Sequence, residues 1–230
     1  MKKFSAICLL LALTFCAPQS SKNVAQQVPA GNYKLDKTHA SLIFRVDHLG
    51  FSNYTARFKN FDATLDFDPA NPTKSRVEAI VDVASLETDF PNSKKINFNK
   101  MLQSNSWLGA AKFPKIKFVS KEIKITGKNS ADIIGELSLH GVTHPLTLNA
   151  TFNGGYASHP MDPSGARIGF SAKGSLNRSD FGIAFGIPAA GTKMGVSDKV
   201  EIILEVEFNK PVTKNFVPKS IPKPVRKVIQ

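Results

Sequence analysis

Cysteine is nearly absent from this chain of 230 residues, which has only Cys8 and Cys16. Both lie at the extreme N-terminus, so no internal disulfide framework can hold the remainder together. Tryptophan occurs once and tyrosine three times, whereas phenylalanine occurs 17 times. Acids are also in the minority, 18 against 30 Lys and Arg, which gives a net charge of +12. The apolar run Phe4 to Leu13 is shorter than the roughly 20 residues needed to span a bilayer. No Gly-x-Ser-x-Gly, no phosphate loop and no nucleophile with a base and an orienting partner can be found, so an enzyme is not expected. The chain has no nucleic-acid-binding motif, and nucleic acid is a poor partner for a secreted protein.

The two ends read as processing and tether segments. Lys2 and Lys3 precede the apolar run, the pattern of a secretory signal over residues 1–15. Leu13-Thr14-Phe15-Cys16 resembles a lipobox, in which the cysteine is acylated and becomes the membrane anchor. Phe15 is bulkier than the residue usual before that cysteine, and ordinary cleavage is the alternative. Residues 16–31 then form a lipidated tether, with a polar, aperiodic stretch from Ser20 to Gln27. Residues 210–230 carry four prolines, six Lys or Arg and no acid, and read as a basic solvated tail. That tail either attracts anionic headgroups or simply keeps the terminus soluble.

Between these ends, residues 32–209 form one domain of alternating pattern. Leu42, Phe44, Val46 and His48 alternate with Ser41, Ile43, Arg45 and Asp47, and Phe61, Ala63, Leu65 and Phe67 with Asp62, Thr64, Asp66 and Asp68. A period of two gives each strand one apolar and one wet face. Further strands are predicted around Val77–Val83, Ile116–Phe118, Ile133–Leu139, Leu146–Phe152, Ile168–Ala172 and Val200–Phe208, giving about eight in all. Eight antiparallel strands can close into a barrel that just encloses one small ligand. A short helix is expected near Lys94 to Gln103, with an N-cap at Asn92-Ser93 and a stop at Gly109, as a plug or cover over the barrel mouth. Phenylalanine has no polar handle, so this usage suits either a wall facing hydrocarbon or a core packed solidly on itself.

Several ordered segments resemble the YceI-like family of secreted bacterial proteins. They are Tyr33-x-Leu-Asp36-x-x-His39, Phe44-x-Val46-x-His48-Leu-Gly50, and Phe58-x-x-Phe61. They continue with Trp107 followed by Phe113-Pro114-x-Ile116-x-Phe118-x-Ser120, then Gly135-x-Leu leading to Gly141-Val-Thr-x-Pro145. Asn177-Arg178-x-Asp180-Phe181-Gly182 and Val196-x-Asp198-x-Val200 complete the series, which covers about Tyr33 to Phe208. Tyr54-Thr55-Ala56 stands where the family usually has a glycine, and Lys94 to Leu102 lacks its His-Leu pair.

The resemblance implies an all-β, antiparallel, extended lipocalin-like barrel holding a polyisoprenoid, quinone or fatty-acid-like lipid, with no other cofactor required. Together with the signal segment and the lipobox-like Cys16, it leads to an expected place in the bacterial envelope, in the periplasm or at the outer membrane, held there by the lipid anchor. Leu42, Phe44, Val46, Phe61, Leu65, Phe118, Phe170 and Leu204 are the expected wall. His48 continues the inward row, as a satisfied polar group at the barrel end or a partner for a ligand headgroup. Arg178 either pairs with Asp180 at the rim or contacts a phosphate or quinone oxygen of the ligand. His39 and His48 differ in parity and should face opposite sides of the wall. His140 and His144 read as a turn pair and not as metal ligands. The alternative reading of the whole chain is a cavity-free barrel acting as a surface adhesin or protein-binding scaffold.

Overall fold

A computed structural model describes residues 28–91 and 94–210. The signal segment, Cys16, most of the tether, the tail beyond Lys210 and the N-cap assigned to Asn92-Ser93 lie outside the described residues. Ten strands are described: β1 (Gly31–His48), β2 (Ser52–Phe58), β3 (Phe61–Phe67), β4 (Arg76–Asp82), β5 (Leu86–Glu87), β6 (Lys115–Ile125), β7 (Ser130–Leu139), β8 (Val142–Tyr156), β9 (Ala166–Asn177) and β10 (Val196–Lys210). Eight of them form an antiparallel ring in the order β1-β3-β4-β6-β7-β8-β9-β10, closed by pairing of β10 with β1. Closure satisfies the backbone groups that an open edge would expose. Residues 28–210 therefore contain a complete barrel with its own core, a unit able to fold on its own. The expected eight strands are this ring. β2 and β5 are additions to it, β2 pairing with Ile43 to His48 of β1 and β5 with the end of β2.

The alternation in the sequence sets which side chains face inward. Leu42, Phe44 and Val46 stand opposite Leu204, Ile202 and Val200 of β10, all on the inner face. Between them, on the outer face, Arg45 opposes Glu201, an opposite-charge pair. Parity changes once within β1. Leu35 pairs with Phe208 and Ala40 with Val206, so residues 36–39 bulge out where Glu207 alone stands opposite. Odd-numbered Tyr33 and Leu35 are buried before the bulge, and even-numbered Leu42 and Phe44 point inward after it. Asp36 holds the bulge by accepting from the Thr38 amide at 3.0 Å and hydroxyl at 2.6 Å.

The barrel has two distinct poles. At the base, Gly31 pairs with Phe67, and the Lys210 ammonium donates to the Ala30 carbonyl, so both ends of the described chain leave together. Val28, Tyr33, Ile168 and Phe208 pack this region. Tyr33 donates its hydroxyl to the Pro29 carbonyl at 2.7 Å, and burial pushes its phenol up to about 12. The opposite pole carries the turn after His48, the segment from Thr88 to Pro114, and the long connection from Arg178 to Val196.

The helix in that segment, α1 (Phe98–Leu102), is shorter than the expected Lys94 to Gln103. Its N-cap is Asn97, whose side chain accepts from the Lys100 amide at 3.0 Å. Gly109, with φ 55°, belongs to a later turn and does not end the helix. Asn99 ties α1 to the wall, accepting from the Thr88 amide and hydroxyl beside β5.

Candidate functional site

The inner faces of the strands enclose a lumen of about 920 Å³. It runs from Pro72 and Asn129 near the base to His48 and Val196 at the opposite pole. The volume lies toward the upper part of the roughly 300–1,000 Å³ range of small-molecule sites. β1 contributes Leu42, Phe44, Val46 and His48; β3 contributes Phe61 and Leu65; and β6, β9 and β10 contribute Phe118, Phe170 and Leu204. Arg178 also borders the space, so all ten residues singled out from the sequence meet around one cavity.

The lining extends beyond those residues. β2 adds Tyr54 and Phe58, and the segment around α1 adds Phe90, Phe98, Leu102, Trp107 and Leu108. β7 and β8 supply Ile133, Leu137, Leu146 and Leu148 by the same alternation that marks the other strands, a signal the sequence already held. The α1 segment has no such period, and its contribution follows only from how it lies across the barrel.

The phenylalanines line the lumen and do not fill it. Phe44 lies 5.6 Å from Phe58, and Phe152 lies 5.5 Å from Phe170 and 6.4 Å from Phe67, measured between ring centroids. These contacts pack the rings against one another within the wall. The buried hydroxyls among them are already engaged. Ser120 accepts from the Val77 amide at 2.9 Å and Ser75 from the Asp68 amide at 2.9 Å. Among the described residues, no buried side-chain nitrogen or oxygen lacks a partner. Near the base the lumen meets solvent between the turn at Ala70 and the β6–β7 hairpin, where Ile125, Gly127, Lys128 and Asn129 are exposed.

Arg178 corrects the sequence reading. It is 5% exposed and turns away from the rim pairing with Asp180. Its guanidinium donates to four backbone carbonyls, those of Ser197 and Val196 at 2.9 Å and of Ile183 and Phe185 at 2.8 Å. Its planar face lies 5.4 Å from the Trp107 ring. Burial lowers its pKa, opposed by the charge of Asp198. The fork thus gathers the chain between β9 and β10 into a fixed loop, with four of its five N–H donors committed to backbone carbonyls.

The histidines divide as parity requires. His48 faces the lumen, while His39 lies on the outer surface, where its Nδ1 meets Asp36 at 2.9 Å. His140 sits in the β7–β8 turn at φ 52°, its Nδ1 2.9 Å from the Phe181 carbonyl, and the His144 ring lies 5.2 Å from the Phe181 ring. Asp36, His39 and Glu207 come close enough to hold a metal ion. That position already has its cation, because Arg167 Nη1 donates to Asp36 at 2.6 Å and to Glu207 at 2.5 Å.

A family model described as a YceI-like domain matches residues 33–208. A UPF0312 protein of Pseudomonas savastanoi pv. phaseolicola is 41% identical over 162 residues, 69% of this chain and 80% of that protein. Among solved structures, the Campylobacter jejuni YceI protein superposes with a TM-score of 0.59 at 27% identity, over 72% of this chain and 90% of that one. A polyisoprenoid-binding domain from Saccharophagus degradans gives a TM-score of 0.56 at 17% identity, over 80% of this chain and all of that domain, a likeness of fold.

Proposed function

The chain belongs to the YceI-like family, and we propose that its barrel holds one long-chain isoprenoid, quinone or related amphiphilic lipid and sequesters or carries it within the bacterial envelope. The observation that carries this reading is the continuous lumen of about 920 Å³ walled by apolar side chains. Water is a poor occupant there, since each buried water requires about two to four polar partners. A hydrocarbon tail gains roughly 0.8 kcal/mol for each CH₂ removed from water, so a dry tube of suitable width binds tightly without directed bonds. The polyisoprenoid-binding neighbour supports the same class of ligand. No chemical step is assigned to the site, and no cofactor is needed for binding of this kind. Acylation of Cys16 would hold the carrier at a membrane of the envelope, because several acyl chains together anchor a protein stably.

The competing reading is a solid barrel serving as an adhesin or scaffold. It requires the aromatic rings to fill the lumen, and they form its wall instead.

Native mass spectrometry of residues 28–210, purified without detergent, tests the proposal. The expected result is a stoichiometric hydrophobic adduct that organic solvent releases and identifies. A bare mass that stays bare after incubation with polyprenols, quinones and fatty acids would overturn it.

A further inference from the structure

The pole away from the chain ends carries large apolar side chains with no protein neighbour to cover them. Phe51 is 84% exposed, Met194 77% and Phe185 59%. They sit on loops that are joined to one another. The Leu49 amide donates to the Gly195 carbonyl at 2.9 Å, which brings the turn carrying Phe51 against the loop carrying Met194. The Val196 amide donates to the Gly186 carbonyl at 2.8 Å, which places Phe185 beside that same loop. Phe185 in turn lies 5.2 Å from Trp107, whose segment also exposes Ile96 and Met101. The lumen reaches these loops, since His48, Trp107, Ile183 and Val196 line it.

Charge on the same loops has one sign. Residues 49–53, 90–114 and 182–196 contain Lys94, Lys95, Lys100, Lys112 and Lys193 and no aspartate or glutamate. Of the flanking acids Asp180 is exposed, and the others are engaged locally. Asp47 accepts from the Gly50 amide at 2.7 Å, Asp89 pairs with Arg57 at 2.9 Å, and Asp198 accepts from Ser179. The base differs in number, exposing Ile125 and Met161, and its acids Asp68 and Asp162 are engaged locally as well. Exposed aromatic and thioether side chains set among five lysines match a bilayer surface bearing anionic headgroups.

We propose that this pole docks on an anionic phospholipid surface, with Phe51, Phe185 and Met194 entering the headgroup boundary and the surrounding lysines meeting lipid phosphates. The proposal rests on the carrier reading for its purpose, since it gives a lipid carrier a face that meets a membrane. It rests on exposure and charge for its existence. The lumen residues on the docking loops put hydrocarbon in the membrane next to hydrocarbon-lined space in the protein.

The test is flotation of the barrel, residues 28–210, with vesicles of phosphatidylcholine alone or mixed with phosphatidylglycerol, at low and high salt. This fragment omits the tether and the basic tail, so neither contributes to binding. The barrel is expected to float with the phosphatidylglycerol vesicles and to be released by salt. Replacing Phe51, Phe185 and Met194 together by serine should lower binding by at least about tenfold. Replacing Lys94, Lys95 and Lys193 by glutamine should remove the preference for the anionic vesicles, at roughly fivefold per lysine. Met161→Ser, at the base and outside the lumen lining, should leave binding unchanged. Thermal melts of each variant establish that it is folded. A wild-type barrel that ignores anionic vesicles, or a folded triple-serine variant that floats as well as wild type, would overturn the docking surface. Native mass spectra of the same samples separate the two readings. A lipid adduct without flotation removes the docking surface and leaves the carrier. Flotation that depends on these residues without any adduct keeps the docking surface and removes the carrier.

Discussion

Arg167 and Asp36 meet at 2.6 Å although 131 residues separate them, and this contact fixes the bulge of β1 onto β9 and β10. The same guanidinium donates to Asp162 at 2.8 Å, so one largely buried cation organises several carboxylates on the outer wall near the base. Burial raises the Asp36 pKa, but hydrogen bonds from Thr38, His39 and Arg167 outweigh that and hold the carboxyl well below its usual range. A carboxylate depressed in this way stabilises the fold above its unfolded pKa of about 3.9 and loses that contribution as pH falls toward the folded value. Urea unfolding of residues 28–210 should therefore show stability falling below about pH 4. Asp36→Asn is expected to lower stability at neutral pH by about 2–3 kcal/mol and to flatten the acid dependence. An acid profile identical to wild type would remove Asp36 from that role.

The four carbonyls bound by Arg178 predict a structural phenotype. Arg178→Lys keeps the charge but not the fork, and should cost about 2–4 kcal/mol. Hydrogen exchange should quicken across residues 182–197 before it changes elsewhere. Lost lipid with unchanged stability would instead mean that the side chain serves the ligand.

Occupancy of the lumen can be tested by filling it. Phe44→Trp with Phe170→Trp adds bulk on two strands that face the same space. The double variant is expected to lose its lipid adduct while stability changes by no more than about 1–3 kcal/mol per site. A folded double variant that takes up lipid normally would show that the wall is assigned incorrectly.

Gly135 and Gly169 should respond in opposite ways to alanine. A Cβ at Gly135 would lie 2.5 Å from both the Phe118 ring and the Val119 carbonyl, so Gly135→Ala should destabilise by about 1–3 kcal/mol. At Gly169 the nearest atoms are 3.9 Å away, and alanine there should be neutral or stabilise by up to about 1 kcal/mol through the unfolded chain. Paired urea titrations read both effects directly.

The sequence carried the ring of strands because inward and outward positions alternate in the chain itself, as in Leu42 to His48 and Phe61 to Phe67. It did not carry the meaning of Asp36-x-x-His39. A bulge in which residues 36–39 face Glu207 alone exists only once β10 and Arg167 are in place. β2 escaped notice because its inward residues include the small Ala56 and because it is short, ending where Lys59 and Asn60 turn the chain into β3. Arg178 beside Asp180 looked like a surface pair, since no local pattern announces that the chain up to Val196 folds back over the guanidinium. The wall was legible because it depends on strand periodicity. The α1 segment was not, because its Asn99 bonds to Thr88 are tertiary in origin.

The exit of both chain ends at the base gives the molecule a direction. Anything attached to either terminus, whether acyl chains on Cys16 or a fused partner, holds the barrel from below and leaves Phe51, Phe185 and Met194 pointing outward. A tether too short to let the barrel turn over would keep that face off the bilayer that retains it and present it to whatever lies opposite.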